Sequence, residues 1–265
     1  MSQAYENPSK RKNPFRSPAF SKYLGISLVA IFVILIFVGF IWLAGGKQAG
    51  IPDSIYFEQL DPPADNAPVV VFETNQGKIK AVLYPNDAPA YCEYFKSLVE
   101  SGYYDGSYFC AVVDSAYALG GTKSPSPDAA ETDDSDMTSI PAEVSNNLWP
   151  IKGALASFVG SKGVWPFSKN YAGSTFLFIN DIDDAYMNPD ALKRAYGDEL
   201  GEVFAEKGGI PSFSRKYTIF AQIYDGWDVF DKIMSAETLE TNQPASDIVI
   251  EKAYISTYGE ESAEE

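Results

Sequence analysis

Leu24–Leu43, LGISLVAIFVILIFVGFIWL, runs without a single charged side chain. A bilayer core of ~30 Å takes about 20 helical residues, so this run has the length of one membrane span. In lipid its backbone polar groups must be satisfied within the helix itself. Trp42 stands at its far end, where an interfacial aromatic belongs. The competing readings are a cleaved signal segment, whose apolar part usually runs only ~7–15 residues, and a buried core helix. The span divides the chain into a basic tail over 1–23, an anchor over 24–44, a linker over 45–68, one folded domain over 69–258 and an acidic tail over 259–265. Before Leu24, Lys10, Arg11, Lys12, Arg16 and Lys22 face only Glu6. Positive flanks stay on the cytoplasmic side, so a single-pass protein of the cell membrane is expected, with its N-terminus cytoplasmic and its domain outside.

The whole chain carries a formal charge of −16, although its first segment is basic, so the domain is strongly acidic. Such a surface repels nucleic acid, and no nucleic-acid partner is expected. The chain contains no histidine. That excludes histidine triads and histidine bases, and removes the commonest metal ligand. Cys92 and Cys110 are too few for a zinc site or a disulfide framework. They either share one bridge or lie buried as small hydrophobes. The acidic run Glu131–Asp136 lacks the central glycine and terminal glutamate of a calcium loop. No glycine-rich phosphate loop opens a helix. Neither metal nor cofactor is expected.

Past the Gly- and Pro-rich linker, Val69–Glu73 and Lys78–Tyr84 flank Asn75-Gln76-Gly77, a hairpin signal. Asp87-Ala88-Pro89 opens a helix whose buried face reads Tyr91, Cys92, Phe95, Leu98 and Val99, and Gly102 ends it. Further strands are predicted at Ser107–Val113, Gly153–Val159, Ser174–Asn180, Tyr217–Tyr224 and Ile248–Thr257, with a polar loop over Gly121–Thr138. Asp190–Lys207 reads as an amphipathic insert and Trp227–Met234 as a short helix. Short strands with two or three helices predict a closed or nearly closed β-barrel.

The segments ETNQGKIKAVLYPNDAP, SGYYDGSYF, Gly120-Gly121, SIPAEV, GALAS, AGSTFLFIN, KYTIFAQIYDGWDVFDKI and IVIEKAYI follow one another across Val69–Ser256. In that order they resemble the landmarks of the cyclophilin-type peptidyl-prolyl cis-trans isomerases. The insert Asp190–Gly209, ending in Gly-Gly-x-Pro, is similar to that of bacterial members. The resemblance implies a mainly β fold, a closed eight-stranded antiparallel barrel with two capping helices and a helical insert, here preceded by one transmembrane helix.

It also implies an activity, rotation about X–Pro bonds, which must break amide resonance at a barrier of ~18–20 kcal/mol. Family members are understood to hold the proline ring in an apolar pocket while an arginine hydrogen-bonds near the prolyl nitrogen, which favours the twisted state. The family's Phe-His-Arg-Val reads Phe109-Cys110-Ala111-Val112, so no catalytic residue is carried over and Ala111 stands at the arginine position. Ala116 replaces the pocket phenylalanine, Tyr117 a methionine and Leu119 a glutamine. Thr175 replaces a second glutamine, Leu177 a second phenylalanine, Ser212 a tryptophan, Phe213 a leucine and Tyr217 a histidine. Tyr117, Phe158, Phe213 and Tyr217 form either a remodelled aromatic groove or simple packing, and Arg215 and Lys216 either a substitute donor or surface cations. The expected function is a membrane-anchored, extracytoplasmic isomerase domain assisting exported proteins, with weak or lost activity. Its expected partners are proline-containing segments of exported or envelope proteins. The alternative is a non-enzymatic peptide- or protein-binding module on the same barrel.

Overall fold

Two residues, Asn75-Gln76, connect β1 (Pro68–Thr74) to β2 (Gly77–Leu83). Alternation along this hairpin sends Val70, Phe72, Ile79, Ala81 and Leu83 to one apolar cluster and Val69, Val71 and Val82 to another. The computed structural model describes residues 50–52, 54–130, 140–162 and 169–263. The basic tail, the apolar run 24–43, the acidic run 131–136 and the aromatic loop 165–167 lie outside the described residues. Among the described residues no helix is long and apolar enough to cross a membrane.

The chain continues with α1 (Pro89–Glu100), β3 (Ser107–Val113), β4 (Tyr117–Thr122), β5 (Ala154–Lys162) and β6 (Lys169–Ile179). Then come α2 (Pro189–Tyr196), α3 (Asp198–Lys207), β7 (Ile219–Asp225), α4 (Trp227–Met234), β8 (Ile248–Thr257) and α5 (Tyr258–Ser262). The eight strands close in the order β1-β2-β7-β5-β6-β4-β3-β8, every pair antiparallel. The first strand pairs with the last, Val69 opposite Ser256, and closure leaves no sheet edge exposed.

Aromatic rings fill the interior. Phe72 lies 5.3 Å from Phe176, Phe109 5.0 Å from Phe178 and Phe95 4.9 Å from Phe220, centroid to centroid. Phe95 enters from α1 and Phe230 from α4, so these two helices cap the barrel with their apolar faces. Gly120-Gly121 lets the rings close in, since a Cβ on Gly120 would stand 2.8 Å from the Phe109 ring. α1 has no cap of its own; the distant Glu143 carboxylate accepts from the amides of Ala90 (3.1 Å) and Tyr91 (2.9 Å). Cys92 and Cys110 are both buried and are not bridged to one another.

Three segments depart from what their sequences suggest. The insert is broken in two because Gly197 adopts φ 91° and ψ 163°, which no helix accommodates. Leu192, Tyr196, Leu200 and Phe204 from its halves gather with Trp149, Ile151 and Ile51 in a small separate core. The second departure lies within the linker, where residues from Ile51 onward are seated on the domain. Gln59 is buried, donating to the Trp149 carbonyl (2.9 Å) and to Gln222 (2.8 Å) while accepting from the Trp149 amide (2.6 Å). The Trp149 indole donates to the Tyr56 carbonyl, and the amides of Tyr56 and Glu58 donate to the carbonyls of Asn146 and Asn147. This strap brings Glu58 toward Asp87 and Asp61; partial burial, then the neighbouring Asp87, push the Glu58 carboxyl up to about 7. Third, the acidic tail begins as a helix, closed by a capping box between Thr257 and Glu260. Tyr258 packs on Tyr224 at 5.1 Å, and buried Glu261 pairs with buried Lys80 at 3.5 Å, beside Asp225 at 3.4 Å from the same ammonium.

Candidate functional site

A bulge in β3 decides what faces outward. Phe109 pairs with Gly120 and Ala111 with Leu119, so Cys110 is an extra residue on its strand. Strict alternation would send Ala111 inward with Phe109. With the bulge, Phe109 and Val112 join the interior while Cys110 and Ala111 both join the outer cluster. Ala111, which the resemblance sets at the arginine position, therefore lies in the outer cluster and presents a methyl group there.

From Ala111 a single row crosses the sheet. Ala111 pairs with Leu119, Leu119 with Leu177, Leu177 with Ala156 and Ala156 with Ile219. These five side chains form an apolar floor spanning five neighbouring strands. Above it the 3-10 turn Pro211–Phe213 brings in Phe213, whose ring lies 4.3 Å from Tyr217 and 6.2 Å from Tyr117. Phe158 packs against the same cluster, half-buried, and so does Ala116 in the β3–β4 turn. The carbonyl of Ala116 accepts from the Asn180 amide at 2.7 Å. Ser212 is half-buried in its turn. The structure thus gathers Ala111, Ala116, Tyr117, Leu119, Phe158, Leu177, Phe213 and Tyr217 on one face. Thr175 is not among the side chains of that apolar cluster. It is fully buried, in a stretch of β6 where the register to β5 jumps from Ser157↔Phe176 to Val159↔Ala172.

The two cations of the segment after Phe213 are placed differently. Arg215 adopts a left-handed φ of 65° and donates through one guanidinium nitrogen to the Ser145 carbonyl (2.9 Å) and to Asn146 Oδ1 (2.6 Å). It braces the loop that also holds the strap. Lys216 is exposed, and desolvation lowers its ammonium below the usual lysine value. Burial raises the Tyr117 hydroxyl, the nearby Cys110 thiol adding to the effect, and burial then Tyr117 raise that of Tyr217. Both phenols therefore stay protonated at neutral pH. Among the described residues no group of His, Cys, Asp and Glu is placed to hold a metal.

Two further members of this face lie outside the groove residues singled out from the sequence. Cys110 lies on it by simple alternation, and the bulge adds Ala111 beside it. Ala130 reaches it from the polar loop after β4, where the only signal is a pair of alanines, Ala129-Ala130, among charged and hydroxylated residues. What the face offers is an apolar floor with two neutral hydroxyls at its rim. It suits holding an apolar ring beside a polar amide.

The description "Cyclophilin type peptidyl-prolyl cis-trans isomerase/CLD" matches residues 69–255. The chain belongs to this family. A Streptococcus pyogenes protein, provisionally named a bifunctional phosphatase/peptidyl-prolyl cis-trans isomerase, is 28% identical over 208 residues. The match takes in 77% of this chain and 42% of that relative's length. A Staphylococcus aureus protein provisionally named a peptidyl-prolyl cis-trans isomerase is 29% identical over 184 residues, 69% of this chain and 88% of the relative. Among solved structures, a Cryptosporidium parvum cyclophilin-type isomerase crystallised in the presence of the dipeptide Ala-Pro superposes with a TM-score of 0.53. It covers 71% of this chain and 99% of its own at 20% identity, which supports the cyclophilin barrel as a fold.

Proposed function

We propose that this chain is a membrane-anchored cyclophilin-type prolyl isomerase, its domain held outside the cytoplasm by the span 24–43. It acts slowly on proline-containing segments of exported or envelope proteins. The observation that carries the reading is the cross-strand floor Ala111–Leu119–Leu177–Ala156–Ile219, roofed by Phe213 and Tyr217 on a cyclophilin barrel. Such a floor holds the proline ring out of water, and desolvation of the amide weakens the resonance that resists rotation. What is gone is the charged donor. Losing one preorganised donor costs ~10²–10³ in rate, and that sets the deficit expected here.

The test is cis/trans exchange of a proline-containing peptide, followed by NMR with the full chain in lipid nanodiscs. Exchange above the uncatalysed rate, about 10²–10³ slower than a family member with the arginine, is the expected result. The second reading, a non-enzymatic binding module, draws on the methyl at Ala111 and the half-buried serine at Ser212. Saturable peptide shifts in the groove without any acceleration would select it.

A further inference from the structure

The seat left by the arginine is not empty of donors. Tyr117 lies on the outer face of β4, two residues from Leu119, and Leu119 is the partner of Ala111. Tyr117 packs against the same outer cluster as Cys110 and Ala111. The phenol therefore shares one apolar face with the Ala111 end of the floor. Tyr217 approaches from the other side, its ring stacked against Phe213. Among the described residues neither hydroxyl makes a hydrogen bond to the protein, and neither oxygen is sealed from solvent. Both rings are thus half-buried while their hydroxyls remain open to a ligand.

We propose that the Tyr117 hydroxyl, assisted by Tyr217, donates to the prolyl nitrogen of a bound X–Pro bond as that bond twists. The inference rests on the isomerase reading above. A planar amide nitrogen has its lone pair in the π system and accepts no hydrogen bond. Once rotated, it becomes pyramidal and does. A donor aimed there is used only at the top of the barrier, which is the condition for lowering it. No proton is transferred and no bond to the protein forms. The donor is neutral, hence weaker than a guanidinium, which fits a slow enzyme.

Tyr117→Phe and Tyr217→Phe remove one oxygen each and keep the rings that pack on Phe213. In the full chain, peptide exchange by NMR and peptide affinity by shift titration are measured side by side. Tyr117→Phe is expected to lower the exchange rate roughly tenfold, the worth of one neutral hydrogen bond, with affinity unchanged. Tyr217→Phe is expected to lower it roughly two- to threefold. If the wild type accelerates exchange and Tyr117→Phe is equally fast, this inference falls and the isomerase reading stands. Loss of affinity in step with rate would make the phenol a binding contact and overturn the proposal as well. A wild type that does not accelerate exchange ends the isomerase reading, and this inference with it.

Discussion

Strands β3, β4 and β6 each carry an inner and an outer row of side chains, and the two rows differ in kind. Inward, Phe109, Gly120, Phe176 and Phe178 lock into one another; outward, Ala111, Leu119 and Leu177 lie side by side as a plain apolar floor. The inner residues belong to the segments through which the chain resembles its family. The outer ones are where the resemblance implies departures. Interiors are close-packed, so an inner ring cannot change alone, whereas an outer side chain answers mainly to whatever occupies the groove. The fold and the chemistry are thus written on opposite faces of the same strands, and one can be rewritten while the other stands.

Phe176→Ala is the strongest way to break that contrast. Its ring lies within 6.1 Å of Phe72, Tyr104, Phe95, Phe109 and Phe178, and a loss of ~3–5 kcal/mol is expected in denaturant unfolding. A loss as small as that of the groove variants Tyr117→Phe or Tyr217→Phe would erase the distinction. The strap tests whether the contrast extends beyond the barrel. Gln59→Ala leaves Gln222 and the Trp149 backbone without their partner, at a cost of ~1–3 kcal/mol by the same measurement. The smallest effect is expected from Glu58→Gln. The Glu58 carboxyl titrates at about 7 in the folded chain, above its ordinary 4.5. Its protonated form is the one that suits the strap, so its stabilisation is complete below pH ~4.5 and fades as pH rises through 7. The variant should show a flatter stability profile between pH 5 and 8. Because the group remains largely open to water, the difference should stay below about 1 kcal/mol.

The parts legible in the sequence are those governed by local rules. The β1–β2 hairpin, the buried stripe of α1 and the barrel class follow from periodicity and turn residues. That Ala111 stands at the family's arginine position is what the resemblance implies. What escapes depends on partners far along the chain. Gln59 is buried by residues 90 and 163 positions away, so nothing within the linker marks it as a strap. Glu261 reads as one more acid in an acidic tail until Lys80 is found beneath it. The bulge at Cys110 is invisible because one extra residue leaves no compositional trace, yet it sets which way the most important position points.

Pairing β1 with β8 has a consequence for how such a domain is made. Synthesis from the N-terminus delivers β1 first and the strand that seals it last, with Glu261 later still to neutralise Lys80. Until then the seam is open, and the newly delivered hairpin presents an unpaired edge to every other extended chain nearby. High sequence separation between contacting strands slows folding for the same reason. This barrel therefore stays open at one seam until its last strand has been delivered.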